Sequence, residues 1–196
     1  MARISVFILA VVALAAGLWM FARQGFSTRS QPGTLETFAA THIRAWSVPA
    51  KYASLPNPVV CTPLALSDAK AHWADHCATC HANNGDGATM LGKNMYPRPP
   101  DMREGETQNQ TDGELYYTIK NGVRLTGMPA FGEPGDSDLD SWKLVCFVRH
   151  LPRLTSEEVA EMKKLNPKTP DDLEEERQEA DFLNGAPVAP DEHHHH

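Results

Sequence analysis

From Ile4 to Ala22 the chain runs nineteen residues without a charged side chain, ISVFILAVVALAAGLWMFA. At about 1.5 Å per residue, a helix of that length spans a bilayer core. The pattern then changes. Breakers stand at Pro32, Gly33, Pro49, Pro56, Pro58 and Pro63, and between them Leu35, Phe38, His42 or Ile43, and Trp46 recur at helical spacing. This predicts a short amphipathic helix over 34–47, lying on a membrane or against the rest of the protein. Ser67-Asp68 is positioned to cap a helix through Ala69–His76. Residues 82–111 are rich in Gly, Pro and Asn and read as loop. Thr111 or Asp112 caps a second helix, Glu114–Lys120, stopped by Asn121-Gly122. A third starts near Ser137 or Asp138 and ends at His150 before Pro152. Its Leu139, Trp142, Cys146 and Arg149 fall on one side, with Leu144, Val145, Phe147 and Val148 widening the apolar stripe. Thr155-Ser156-Glu157-Glu158 carries a capping box for a further helical stretch. No strand pattern of useful length occurs, so the expected fold class is all-α, one helical domain with long loops.

Composition divides the chain further. Its 196 residues are 41% hydrophobic, enough for one core, with a formal net charge of −7. Residues 1–154 are nearly neutral, with 14 Lys/Arg against 13 Asp/Glu, whereas 155–196 hold 4 against 12. The acidity therefore belongs to a tail, read beyond Pro170 as a solvated helix or disordered segment. No basic stripe marks a nucleic-acid binder. The expected organisation is a membrane anchor over 1–23, a linker over 24–66, a globular domain over 67–154 and the acidic tail over 155–196. Arg3 on one side of the apolar run and Arg23 with Arg29 on the other leave its orientation undecided by charge. Ala13-Leu14-Ala15 resembles a signal-peptidase site, but cleavage there exposes Leu18-Trp19-Met20-Phe21 at a new terminus, which favours an uncleaved anchor.

The strongest chemical signal is Cys77-Ala78-Thr79-Cys80-His81. C-x-x-C-H is the attachment motif of c-type haem. Two thiols one helical turn apart add to the two vinyl groups, and the following histidine is held beneath the iron as an axial ligand. A redox-active C-x-x-C pair belongs in a βαβ setting that is missing here. A zinc site needs a second ligand pair that Cys61 and Cys146 do not supply. One covalently bound haem c is the expected cofactor. Met128, in Gly127-Met128-Pro129-Ala130-Phe131, is the expected second axial ligand, because Gly127 permits close approach and Pro129 stiffens its loop. Met90, Met95 and Met102 are its rivals on a more flexible stretch. His42, His72, His76 and His150 read as surface histidines. Cys146 reads as a buried free thiol. A Cys61–Cys146 disulfide is the alternative that an oxidising compartment allows, and it would pin the N-terminal extension to the last helix. His193–His196 read as a tag or a native run that loosely holds a divalent metal, and carry no assigned function.

The segments HWADHCATCHANNGDG (72–87), MYPRPPDM (95–102), TDGELYYTIKNGVRLTGMPAF (111–131) and SWKLVCFVRHLP (141–152) resemble a class I mono-haem cytochrome c of the bacterial, membrane-anchored type. The resemblance implies a cytochrome c-like helical domain with long haem-wrapping loops, whose first and last helices cross at the haem edge. Trp73 and either Trp142 or Phe147 would make the crossing contact. It also implies Met128 as axial ligand, and Tyr96, Arg98 and Pro99 along the lower haem edge, with Arg98 a candidate propionate contact. The expected function is one-electron transfer, not bond-making catalysis, since His81 and Met128 together leave the iron no vacancy. The expected partners are redox proteins at a bacterial inner membrane, with the haem domain in the periplasm, a single membrane pass and no small-molecule substrate. A flexible 24–66 segment would let the domain swing between partners. The alternative is a fixed haem subunit of a membrane dehydrogenase or terminal oxidase, in which 34–47 and the acidic tail are docking elements.

Overall fold

A computed structural model of the chain describes residues 2–23, 27–30, 32–133 and 138–184. Among the described residues every regular element is helical and no strand occurs, as the periodicity predicts. Helix α1 (Ala2–Arg23) is exposed along its length and is long and apolar enough to cross a membrane. Helix α2 (Thr34–Ser47) has the predicted bounds and is followed by one turn, α3 (Ala50–Ala53). Helix α4 (Pro63–His72) continues through a π-helical turn, Trp73–Cys77, into α5 (Ala78–His81). It begins ahead of the Ser67-Asp68 cap expected from sequence. The Thr62 hydroxyl accepts the Ala65 N–H at 3.2 Å, and Pro63 fills the first helical position. There its missing N–H costs nothing, so a residue read as a breaker is a starter.

Two single turns, α6 (Met90–Lys93) and α7 (Gly105–Gln108), interrupt the long loop. Helix α8 (Asp112–Asn121) carries a complete capping box between Thr111 and Glu114. Helix α9 (Leu139–His150) starts on Asp138, whose carboxylate accepts the Ser141 N–H at 3.0 Å; Ser137 lies outside the described residues. Helix α10 (Ser156–Lys163) has the predicted box between Thr155 and Glu158. Helix α11 (Pro170–Leu183) is solvated throughout its described positions. His193–His196 lie outside the described residues.

The core forms where α4 and its π turn cross α9. Trp73 meets Phe147 with ring centroids 5.4 Å apart, so Phe147 makes the crossing contact. Trp142 instead stacks on Tyr116 of α8, 4.0 Å between centroids and 5° between planes. Leu144, Val145, Cys146, Phe147 and Val148 are all buried, while Leu139, expected on the buried side, faces solvent. Arg149 uses its place on the same face for polar work. Its guanidinium donates to the Asp112 carboxylate at 2.9 Å, to the Gln108 carbonyl at 2.6 Å and to the Gln110 carbonyl. That clamps the loop between α7 and α8 onto α9.

Cys146 is not a free thiol: it is joined to Cys61, with 5.6 Å between Cα atoms. The segment before α4 is thereby fixed to α9. Asn57 adds a side-chain hydrogen bond to the Trp142 carbonyl at 3.1 Å. Tyr52 packs on Tyr117, with centroids 4.9 Å apart, and its carbonyl presses on Gly113 of α8. Within the expected 24–66 linker, Tyr52, Asn57 and Cys61 thus all bind the domain. A Cβ at Gly113 would overlap the Tyr52 carbonyl. Gly113→Ala therefore costs about 1–3 kcal/mol through overpacking, read as a lower denaturation midpoint in guanidinium.

Candidate haem site

The C-x-x-C-H segment is held rigidly at both ends. Its amino end is the π turn, whose Trp73 is buried in the core and donates its indole N–H to the Ala82 carbonyl at 3.0 Å. At its carboxyl end, Gly87 N–H binds the His81 carbonyl at 2.9 Å and the Thr89 hydroxyl binds the Cys80 carbonyl at 3.3 Å. Cys77 and Cys80 are unpaired thiols, both partly buried. Burial, followed by the neighbouring Cys80, pushes the Cys77 thiol up to about 12, and burial raises Cys80 as well. A redox-active pair needs a depressed thiol, so these cysteines are poor candidates for disulfide exchange. Among the described residues there is no group of three or more His, Cys, Asp or Glu side chains that could hold a metal ion.

The His81 ring lies 5.8 Å from the Trp73 ring, and its Nδ1 is buried without a hydrogen-bond partner. Burial holds its pKa below the ordinary histidine value, so the ring is neutral at pH 7 and keeps a lone pair. An enclosed, neutral imidazole with an orphaned nitrogen fits a group that takes imidazole as ligand. Two thiols one turn before it fit covalent attachment of the same group. The residues present therefore suit a haem.

Met128 is partly buried and packs against the core. Both its backbone groups are used: its N–H donates to the Thr126 hydroxyl at 3.1 Å, and its carbonyl accepts the Val123 N–H at 3.1 Å. Phe131 N–H then binds the Ile119 carbonyl at 3.2 Å, returning the loop to α8. Gly122, at φ 66°, makes the turn and lies against the backbone of Met128–Ala130, where a Cβ would collide. The loop is stiffer than Pro129 alone suggested. Thr126 was the available sequence signal for this, as a hydroxyl two residues before the N–H it binds.

The rival methionines separate. Met90 is exposed and Met102 is buried in the core, while Met95 lies over Gly127, beside Met128. His72 and His76 pair with each other, 4.9 Å between rings, and His150 binds Glu158 at 3.0 Å. The proline-rich loop does pack beside the motif: Met102 N–H binds the Gly85 carbonyl at 2.8 Å and the Pro99 carbonyl rests on Gly87. Arg98 on that loop is exposed. Hydrogen bonding to the Glu36 carboxylate of α2, with burial second, raises the Tyr96 hydroxyl above the ordinary tyrosine range.

No curated protein matches the chain. Residues 65–148 match the family described as cytochrome C oxidase, cbb3-type, subunit III. The match begins within α4, passes through the Cys77–His81 motif and the Met128 loop, and ends in α9. The chain carries a cytochrome c-family domain over this segment, a domain of haem-based electron transfer.

Proposed function

We propose that the chain is a membrane-tethered one-electron carrier with a single haem c bound through Cys77 and Cys80 and ligated by His81 and Met128. The observation that carries this reading is the orphaned, buried Nδ1 of a neutral His81 in a C-x-x-C-H segment clamped at both ends. When bound, the haem supplies Fe(II)/Fe(III) exchange. Every other task falls to this chain. Trp73 and Thr89 hold the motif in place, and the Met128 loop is braced so that a thioether can be presented with little reorganisation between redox states. Arg98 is placed on the adjoining loop to meet a propionate. With His81 and Met128 both holding the iron, a bound haem would offer no position to a substrate, which makes the chain a carrier and not an enzyme. Helix α1 serves as the anchor in the bacterial inner membrane, with the haem domain on the periplasmic side and redox proteins as partners.

The second reading, a fixed haem subunit of a membrane oxidoreductase, is favoured by the match of residues 65–148 to an oxidase-subunit family. It also agrees with the segment before α4 being fixed to the domain rather than free to swing. The visible spectrum of the exported protein, oxidised and reduced, with and without carbon monoxide, tests the ligation. The expected result is a far-red sulfur-to-iron band in the oxidised form and no response to carbon monoxide. A missing band with ready carbon monoxide binding overturns the closed site. Gentle solubilisation separates the two readings: a carrier leaves the membrane alone, and a subunit leaves with its complex.

A further inference from the structure

Helix α2 has two faces, and they are placed the wrong way round for a helix that ends at its own domain. At 100° per residue, Thr41 and Arg44 project opposite to Leu35, His42 and Trp46. The polar face is the one turned to the haem domain. Thr41, Arg44 and Val48 line a cleft with Glu106, Gln110 and Glu114, and Arg44 pairs with Glu106 at 3.0 Å. At the start of the helix, Glu36 engages Tyr96 on the proline-rich loop. The apolar face is left outside. Phe38 is 59% exposed and Trp46 80%, with Leu35 and Ile43 exposed beside them. Phe38, His42 and Trp46 form an aromatic ladder, with centroid separations of 4.0 and 6.3 Å. Water does not favour this arrangement, so another surface must cover it.

We infer that the outer face of α2 lies in the headgroup region of the bilayer that α1 crosses, and that α2 fixes the orientation of the haem domain on that surface. The inference rests on α1 being the membrane anchor. Three observations choose lipid as the occupant. Ten residues, 24–33, separate Arg23 from Thr34, so α2 starts within about 35–40 Å of the end of the anchor and can reach the membrane surface. With Arg44 held by Glu106, the cations Arg23, Arg29 and Lys51 stand against the single acid Glu36 over residues 23–51, a local positive excess that complements anionic headgroups. Phe and Trp on one face of an amphipathic helix are the side chains that settle at this depth. Glu36 and Arg44 then transmit the pose to the loop and turn beside the haem motif.

The test uses the full haem-loaded chain in vesicles of phosphatidylethanolamine and phosphatidylglycerol. Nitroxide labels are placed one at a time through Leu14→Cys in α1, Phe38→Cys in α2 and Gln178→Cys in α11, each with an unchanged haem spectrum. Collision with oxygen, which concentrates in lipid, is compared with collision with a water-soluble nickel chelate. The expected result is a label at 38 that behaves like the label at 14, several-fold more protected from nickel than the label at 178. A label at 38 as open to nickel as that at 178, with 14 protected, overturns the docking while the anchor stands. Exposure of both 14 and 38 overturns the anchor as well. Spin–spin broadening at 38 that persists in detergent, without lipid protection, means that a second copy covers the face and also overturns the proposal.

Discussion

Met128→Ala lowers the reduction potential by a few tenths of a volt, within the roughly 0.8 V range that axial ligands command. A thioether favours the ferrous state, so its removal destabilises Fe(II) relative to Fe(III). The loop should survive the change. What holds it is backbone and neighbour chemistry: the Val123 N–H on the Met128 carbonyl, the Thr126 hydroxyl beneath the Met128 N–H, and the tight turn at Gly122. The variant should therefore keep its attached haem and its fold, lose the far-red band and acquire carbon monoxide binding. Potentiometric titration measures the shift. Met95→Ala is the control, because the Met95 side chain lies over Gly127 and is the nearest competitor. It should retain the band. A band lost in Met95→Ala and kept in Met128→Ala would transfer the ligand role to Met95.

The second large effect is on stability. Cys61 and Cys146 are 85 residues apart in sequence, and closing a loop of that size is worth about 4.5 kcal/mol in the chain-entropy description. Total stabilities run about 5–15 kcal/mol, so this bond accounts for a third or more of a typical value. The double variant Cys61→Ala/Cys146→Ala should show a correspondingly lower unfolding free energy in guanidinium, of similar direction to dithiothreitol treatment of the parent. It should also become sensitive to proteolysis between Ser54 and Thr62. There the chain keeps Asn57, the packing of Val59 and the Tyr52 contacts to hold it against α8 and α9. A midpoint unchanged within error would show that the packing around Asn57 and Val59 suffices alone.

What could be read in advance follows the range of the interactions. Helix α2 and the Thr155 box are local: periodicity and a hydroxyl three residues before a glutamate carry them, and each appears where the pattern puts it, while the cap left open between Thr111 and Asp112 falls to Thr111. The C-x-x-C-H segment is local for the same reason, five consecutive residues that need no distant partner to be recognised. Pro63 misled because a proline stops a helix or starts one depending on its neighbour, and Thr62 was the neighbour that decided. The Cys61–Cys146 bond had no local signal at all, since it depends on how α4 folds back along α9. Arg149 looked like part of an apolar stripe by spacing. Its partners, the Gln108 and Gln110 carbonyls, are loop groups whose position no periodicity encodes. The Met128 loop was legible as stiff through Pro129, and Thr126 offered a further local signal, but its bracing by the Val123 N–H was not legible.

The place of α9 in the chain has a consequence for timing. Phe147, Cys146 and Arg149 close the core, the extension and the loop between α7 and α8 respectively, and all three lie some seventy residues after the thiols of the C-x-x-C-H segment. A polypeptide delivered across a membrane amino end first presents Cys77, Cys80 and His81 while the helix that packs against Trp73 is still to come. Contacts of such long separation are also the slow ones to form. On the proposed attachment of haem through these thiols, the interval between those two arrivals would be when the sulfur atoms are reachable, before burial carries the Cys77 thiol to about 12. Lengthening the segment between Met128 and Leu139 would widen that interval, and maturation, not electron transfer, is the step in which the change would register.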